Sequence, residues 1–191
     1  GRDRHVLLQA AKNGYFFVID AVTGKVISAK NYVPTVNYKP FDIETGTLSF
    51  NDELHYWDYP GQPVVLQPGG YGAHTWELTS YSPKTGLVYI PAFIKPYELG
   101  GRYAGCGLEE DAVFKDKGLL IAWDPLAQEK RWEVEHPVTM SGGVLSTAGN
   151  IVFQGTPAGT FNAYEANTGE KLWSYNTRSV IRGGPSTVVV G

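Results

Sequence analysis

One cysteine in 191 residues, Cys106, excludes an internal disulfide. No Cys-x-x-Cys-His haem site can be written from it. The four histidines, His5, His55, His74 and His136, stand at spacings that build no metal site. No phosphate loop and no Ser-His-Asp arrangement is found. No apolar run is long enough for a bilayer: Val6-Leu7-Leu8 and Tyr15-Phe16-Phe17-Val18-Ile19 fall far short of the roughly 20 residues a spanning helix needs. Charge is low and balanced. Sixteen basic against 19 acidic residues give -3, which leaves no electrostatic case for nucleic acid or an anionic membrane. Met is missing from the start, where Gly1-Arg2-Asp3-Arg4 carries no signal-peptide pattern. A mature or truncated N-terminus is the expectation.

What is present points to strands. Twelve Tyr, eight Phe and five Trp against a single Met favour β structure over helix. With 23 Gly and 12 Pro, 42% apolar and 18% charged residues, the composition is globular and turn-rich. Three stretches repeat one pattern: Val18-Ile19-Asp20-Ala21-Val22-Thr23-Gly24-Lys25, the run from Ala122-Trp123-Asp124 to Trp132, and the run from Ala163-Tyr164-Glu165 to Trp173. Each reads as a strand, a turn centred on an acid, and a second strand whose expected end is Trp, present in the last two copies. Repetition of a four-stranded unit is how a β-propeller is written in sequence. Three copies cannot close a ring of about four to eight blades, so the fold class expected is an all-β, partial propeller of four-stranded antiparallel blades.

The organisation follows from the turns. Residues 1–30 supply three strands of a partial blade, His5 to Ala10, Tyr15 to Asp20 and Lys25 to Ala29. Residues 31–72 break the pattern with Pro34, Pro40, Pro60, Pro63, Pro68 and Gly69-Gly70, and form a long irregular insertion expected to run over one face of the propeller. Residues 73–135 read as a blade with strands His74 to Ser82, Leu87 to Ile90, Leu119 to Trp123 and Arg131 to Glu135, with a loop at 93–118. Residues 136–178 read as the next blade, with strands Gly142 to Thr147, Ile151 to Gly155, Thr160 to Glu165 and Lys171 to Tyr175. Short loops with Gly at the turn mark its hairpins. Residues 179–191, ending in Val188-Val189-Val190, look like the first strand of a closing blade. Trp132 and Trp173 are expected to lie flat between neighbouring blades, each indole bonded to backbone of the next repeat. The first repeat has Ser28 in that place.

Three longer motifs carry a resemblance. They are Gln9-Ala10-Ala11-Lys12-Asn13-Gly14-Tyr15-Phe16-Phe17-Val18-Ile19-Asp20-Ala21-Val22-Thr23-Gly24; Gly72-Ala73-His74-Thr75-Trp76 followed by Tyr81-Ser82-Pro83-Lys84-Thr85-Gly86-Leu87-Val88-Tyr89-Ile90-Pro91; and Ser141-Gly142-Gly143-Val144-Leu145-Ser146-Thr147-Ala148-Gly149-Asn150-Ile151-Val152-Phe153-Gln154-Gly155. In order and approximate spacing the chain resembles the pyrroloquinoline quinone (PQQ)-dependent alcohol dehydrogenases, quinoproteins with an eight-bladed propeller, and matches the C-terminal part of that domain. The resemblance implies an oxidoreductase of the periplasm that oxidises an alcohol to an aldehyde or ketone. Electrons pass to PQQ and then to an external, cytochrome-type acceptor. It implies a calcium or lanthanide ion held through residues outside this chain, and a haem c, where the family carries one, in a domain outside it. The catalytic aspartate and metal ligands of the family lie in earlier blades. No catalytic or metal residue is therefore assigned here. The partner expected is the remaining propeller portion or a companion polypeptide.

The cofactor-binding candidates that the resemblance implies are Lys12, Thr75, Trp76 and Leu145. The basic residue at the position of Lys12 reaches the quinone carbonyls, where a fixed cation stabilises charge that develops on reduction. Trp76 offers apolar area and one N–H donor. Thr75 replaces the Asn common in the family with a shorter hydroxyl. Leu145 follows Gly142-Gly143, whose missing side chains permit the close backbone approach of a propeller axis. His74 is read as structural. The alternatives are a non-catalytic β-propeller scaffold, which has no reason to keep Lys12, Trp76 and Gly142-Gly143 together, and a degenerate quinoprotein subunit marked by Thr75.

Overall fold

A computed structural model describes residues 3–58, 60–100 and 114–190. Cys106 and Glu109-Glu110-Asp111 lie outside the described residues. In chain order the strands are β1 (Val6–Ala10), β2 (Tyr15–Asp20), β3 (Val26–Asn31), β4 (Val64–Leu66), β5 (Ser80–Ser82), β6 (Leu87–Ile94), β7 (Tyr97–Leu99), β8 (Lys117–Asp124), β9 (Glu129–His136), β10 (Val144–Ser146), β11 (Ile151–Gly155), β12 (Thr160–Glu165) and β13 (Lys171–Asn176). A 3-10 turn at Asp52–Leu54 is the helical element among the described residues. The chain divides into two compact units, Gly1–Thr75 with Ile94–Asp116, and Trp76–Phe93 with Lys117–Gly191.

The first unit holds the antiparallel sheet β1-β2-β3 and the two excursions. Residues 31–72 are less irregular than the sequence suggests. Bridges join Tyr38 to Phe50 and Asp42 to Thr47, and β4 pairs antiparallel with β7, so the two excursions are stitched together. Buried Asn37 is the rivet. Its amide donates to the Pro68 carbonyl at 2.6 Å and its oxygen accepts from the Gln67 N–H at 2.8 Å.

The second unit holds two four-stranded sheets, β5-β6-β8-β9 and β10-β11-β12-β13, each in the sequential order of a propeller blade. Their facing surfaces bury Leu87, Tyr89, Leu120, Ala122, Val144, Val152, Tyr164 and Ala166, with Trp132 and Val134 packed against them. Eight alternating apolar side chains on two facing sheets are what drive this stack, since apolar burial is the main stabilising term. Trp132 lies against the next repeat: its indole N–H donates to the Ala166 carbonyl at 3.0 Å, beside the Tyr89 hydroxyl on the same oxygen.

The repeated turns share one chemistry. Asp20, Asp124 and Glu165 each accept two backbone N–H groups with a carboxylate oxygen, at 2.7 to 3.0 Å. These bonds hold the Asp20 carboxyl below the usual carboxylate range. The turn closes with a residue at positive φ: Gly24, Gly169, and in the second copy Gln128. Each copy also has a bulge at one register, at Val18/Ile19, Ala122/Trp123 and Ala163/Tyr164.

The structure shortens one expected strand, and two further expectations meet no neighbouring blade among the described residues. The strand from His74 to Ser82 shortens to β5. Leu78 turns its carbonyl to the N–H of Val144 at 2.9 Å instead of pairing within its own sheet. Trp173 is not enclosed: it is 49% exposed and stacks on Tyr175, because no sheet of its unit covers β13, whose six residues are all exposed. Residues 179–190, read as the first strand of a closing blade, form no ladder among the described residues.

Candidate functional site

The β1–β2 hairpin presents Lys12. Gly14 donates to the Ala11 carbonyl at 3.0 Å, Asn13 accepts from the Tyr15 N–H at 3.0 Å, and Gly14 takes φ +87. The turn is clamped from behind. The Tyr32 hydroxyl donates to the Ala11 carbonyl at 2.8 Å, and the Ala73 N–H donates to the Lys12 carbonyl at 2.9 Å. Gly72 lies so close that a methyl there would meet Lys12 Cγ and come within 2.7 Å of the Lys12 carbonyl. The backbone is fixed while the side chain is exposed. The Lys12 ammonium makes no ion pair or hydrogen bond among the described residues.

Beside Lys12 opens a cleft of about 600 Å³, lined entirely from the first unit. Tyr38 and Phe50 form one wall, their rings edge-on at 5.7 Å. Leu66, Tyr97 and Leu99, from the β4–β7 ribbon, form another. Tyr97 and Leu99 are two apart on one strand and so share a face, and Leu66 stands opposite Tyr97 in the register. Gly69, Gly70 and Gly72 line the base. No carboxylate is among the described lining residues, and Lys12 is the one cation there. Such a site suits an electron-rich oxygen or an anion carried on an apolar body.

Thr75 is half-buried, two residues beyond the Ala73 that bonds Lys12. His74 is buried, as expected of a structural histidine. In the second unit Trp76 is 61% exposed and Leu145 half-buried, opposite Phe153 in β11. The glycines before Leu145 do permit close approach: a methyl on Gly143 would lie 2.9 Å from the Leu78 nitrogen and 3.2 Å from Gly184 Cα. Behind them runs a relay the sequence did not suggest. Gln154 donates its amide to the Gly142 carbonyl at 3.1 Å, so its oxygen accepts from His136 Nε2 at 2.9 Å, which fixes the proton on that nitrogen. Burial pushes the His136 imidazole below its usual pKa. The cleft walls were also missed, since short segments far apart in sequence build them.

A family profile described as outer membrane protein assembly factor BamB, PQQ_2, matches residues 66–191. The chain belongs to the PQQ_2 family. Its relatives include quinohemoprotein alcohol dehydrogenases. Lupanine 17-hydroxylase [cytochrome c] of a Pseudomonas species is 44% identical over 199 residues, covering all of this chain and 28% of that protein. The solved quinohemoprotein alcohol dehydrogenase ADHIIG of Pseudomonas putida HK5 is 39% identical, with a TM-score of 0.87 over 98% of this chain and 31% of its own. A europium-containing methanol dehydrogenase is 27% identical, with a TM-score of 0.81 over 96% of this chain and 34% of its own. This chain thus spans about a third of the relatives it matches. The resemblance to quinoprotein alcohol dehydrogenases holds across the chain, and its fold is part of a β-propeller from that enzyme family.

Proposed function

We propose that this chain serves a PQQ-dependent alcohol dehydrogenase and gives the cofactor site Lys12, Thr75, Trp76 and Leu145. The observation that carries the reading is Lys12: an exposed ammonium without a partner among the described residues, on a backbone clamped by Tyr32, Gly72 and Ala73. A non-catalytic scaffold gives no reason to fix an uncommitted cation over a cleft.

Bound PQQ supplies the two-electron acceptor, and the alcohol yields two electrons and two protons and leaves as an aldehyde or ketone. Lys12 holds a positive charge where oxygen gains negative charge, without a reorganisation cost at that moment. Trp76 gives a flat, exposed aromatic surface with one donor. Thr75 contributes one hydroxyl, and Leu145 apolar contact. Trp132 joins one repeat to the next and is given no part in the cofactor site. No residue of this chain is proposed as the base or as a ligand to a calcium or lanthanide ion. The europium relative favours the lanthanide option, and the cytochrome c in the hydroxylase's name favours a cytochrome acceptor. The same reading takes the compartment to be the periplasm, as the resemblance implies, and the rest of the propeller to be the partner.

The test compares Lys12→Ala, Lys12→Arg and Lys84→Ala in the PQQ-loaded protein. Losing one charge-assisted contact of this kind costs about a hundred- to thousandfold in rate. Lys12→Ala should lose turnover and weaken PQQ retention, and Lys12→Arg should keep part of both. Lys84 is exposed in a turn of similar form and should behave as wild type. Near-wild-type behaviour of all three would make Lys12 a turn residue only.

A further inference from the structure

We infer that the cleft beside Lys12 is the specificity pocket of this dehydrogenase, and that its substrate is an alcohol carried on a ring or a branched apolar body rather than a one- or two-carbon alcohol. The inference rests on the reading of Lys12 as the residue at the quinone oxygens, since Lys12 itself lines this cleft. Three observations select the substrate class. The cleft is about 600 Å³, within the roughly 300–1,000 Å³ of pockets that enclose a drug-sized ligand and far beyond what ethanol fills. Its walls are the edge-on Tyr38–Phe50 ring pair and the ribbon face of Leu66, Tyr97 and Leu99, aromatic and aliphatic on both sides. Among the described lining residues Lys12 is the one charged group, and none of them is a carboxylate that would hold an amine or other cation.

The walls are also placed to be rigid. Asn37, next to Tyr38, bonds the Gln67 N–H and the Pro68 carbonyl, and the Gly69 N–H donates to the Lys95 carbonyl at 3.1 Å. The pairing of β4 with β7 therefore fixes where Tyr97 and Leu99 stand relative to Phe50 and Lys12. A rigid apolar wall discriminates by how much of the substrate body it desolvates, and one methylene more or less is worth about 10- to 200-fold.

The experiment measures kcat/KM for benzyl alcohol and ethanol in the PQQ-loaded protein with a dye acceptor. Wild type should favour benzyl alcohol. Phe50→Ala and Tyr97→Ala should each lower the benzyl-to-ethanol ratio about tenfold or more. Leu99→Trp, which fills the cleft without opening a cavity, should lower it as well and guards against an alanine variant that fails to fold. Saturation-transfer NMR with benzyl alcohol on the PQQ-free protein should label the ring protons, and the label should fall in the same variants. A wild type that prefers ethanol, or a ratio unchanged in all three variants, overturns the inference. If Lys12→Ala keeps its PQQ while the wall variants shift the ratio and the NMR label, the cofactor reading falls and the pocket stands. If Lys12→Ala loses PQQ while the wall variants change nothing, the pocket falls alone.

Discussion

Gly169 and Trp132 form a contact whose energy can be isolated. Gly169 closes the acid-centred turn between β12 and β13 at φ +74, and a methyl there would come within 2.6 Å of Trp132 Cε3 and 2.8 Å of Cδ2. Gly86 closes the turn before β6 at φ +71, with nothing within 4 Å. Alanine at either position takes on left-handed backbone, at about 1–2 kcal/mol. Only at Gly169 does it also overlap a ring, which adds about 1–3 kcal/mol. Gly86→Ala should therefore cost about 1–2 kcal/mol and Gly169→Ala about 2–5 kcal/mol. Trp132→Ala should cost about 3 kcal/mol, the low end for a large aromatic. Its ring is half-buried, and the Ala166 carbonyl it leaves keeps the Tyr89 hydroxyl at 3.0 Å.

The decisive quantity is the double mutant. With Trp132 gone, Gly169→Ala should fall to the cost of Gly86→Ala, a coupling of about 1–3 kcal/mol. Urea unfolding followed by circular dichroism reads all four species, with the slope checked for constancy so that the midpoints report stability. Equal costs for Gly169→Ala and Gly86→Ala refute the contact. So does an excess at Gly169 that persists in the Trp132→Ala background.

Two further predictions concern the second unit. Gly143→Ala should destabilise by about 1–3 kcal/mol through its approach to Leu78 and Gly184, whereas Gly149→Ala, with Thr147 Oγ1 at 3.6 Å as its neighbour, should be near neutral; paired melting curves decide. His136 has its pKa lowered by burial and, less, by Lys171, against the Gln154 hydrogen bond that raises it. The unfolded chain then takes up the proton first, so stability should fall as pH drops through about 6.5 and level off below the folded pKa. His136→Gln should flatten that decline between about pH 7 and 5.5, and a variant as steep as wild type refutes the assignment.

Local chemistry was legible wherever a strand and its turn are contiguous. β2, β11 and β12 begin and end where alternating apolar residues meet Gly-containing turns. The same logic went unread in one place. Asp42 accepts the N–H groups of Glu44 and Thr45, Gly46 donates back to the Asp42 carbonyl, and Gly46 takes φ +70, a further copy of the acid-centred turn. Five prolines nearby marked residues 31–72 as irregular and hid it. The β4–β7 pairing left no local signal, since each strand is three residues long and Leu66 meets Tyr97 across an intervening blade edge in sequence. Trp132 and Trp173 are alike in sequence and register, yet one has a sheet to cover it and the other is exposed. Environment supplied by another segment cannot be read from the repeat itself.

That limit bears most on Lys12. Lys12 and Lys84 both sit exposed in Gly-terminated turns, and neither turn announces a role. The difference comes from some sixty residues downstream. Gly72 packs on the Lys12 backbone and Ala73 bonds its carbonyl, while the turn of Lys84 ends at Gly86 in open space. A cation on a loose turn must be ordered before it can act, and that ordering costs free energy at each encounter. A cation on a clamped turn has met much of that cost during folding, so its charge can act on a neighbouring oxygen as charge develops there. The same clamp explains why Gly72 accepts no side chain: a methyl would push Lys12 off its backbone position. Gly72→Ala should therefore reproduce part of the Lys12→Ala loss in PQQ retention while leaving the Lys12 charge intact. A Gly72→Ala protein that folds and retains PQQ as wild type does would show that the clamp positions nothing.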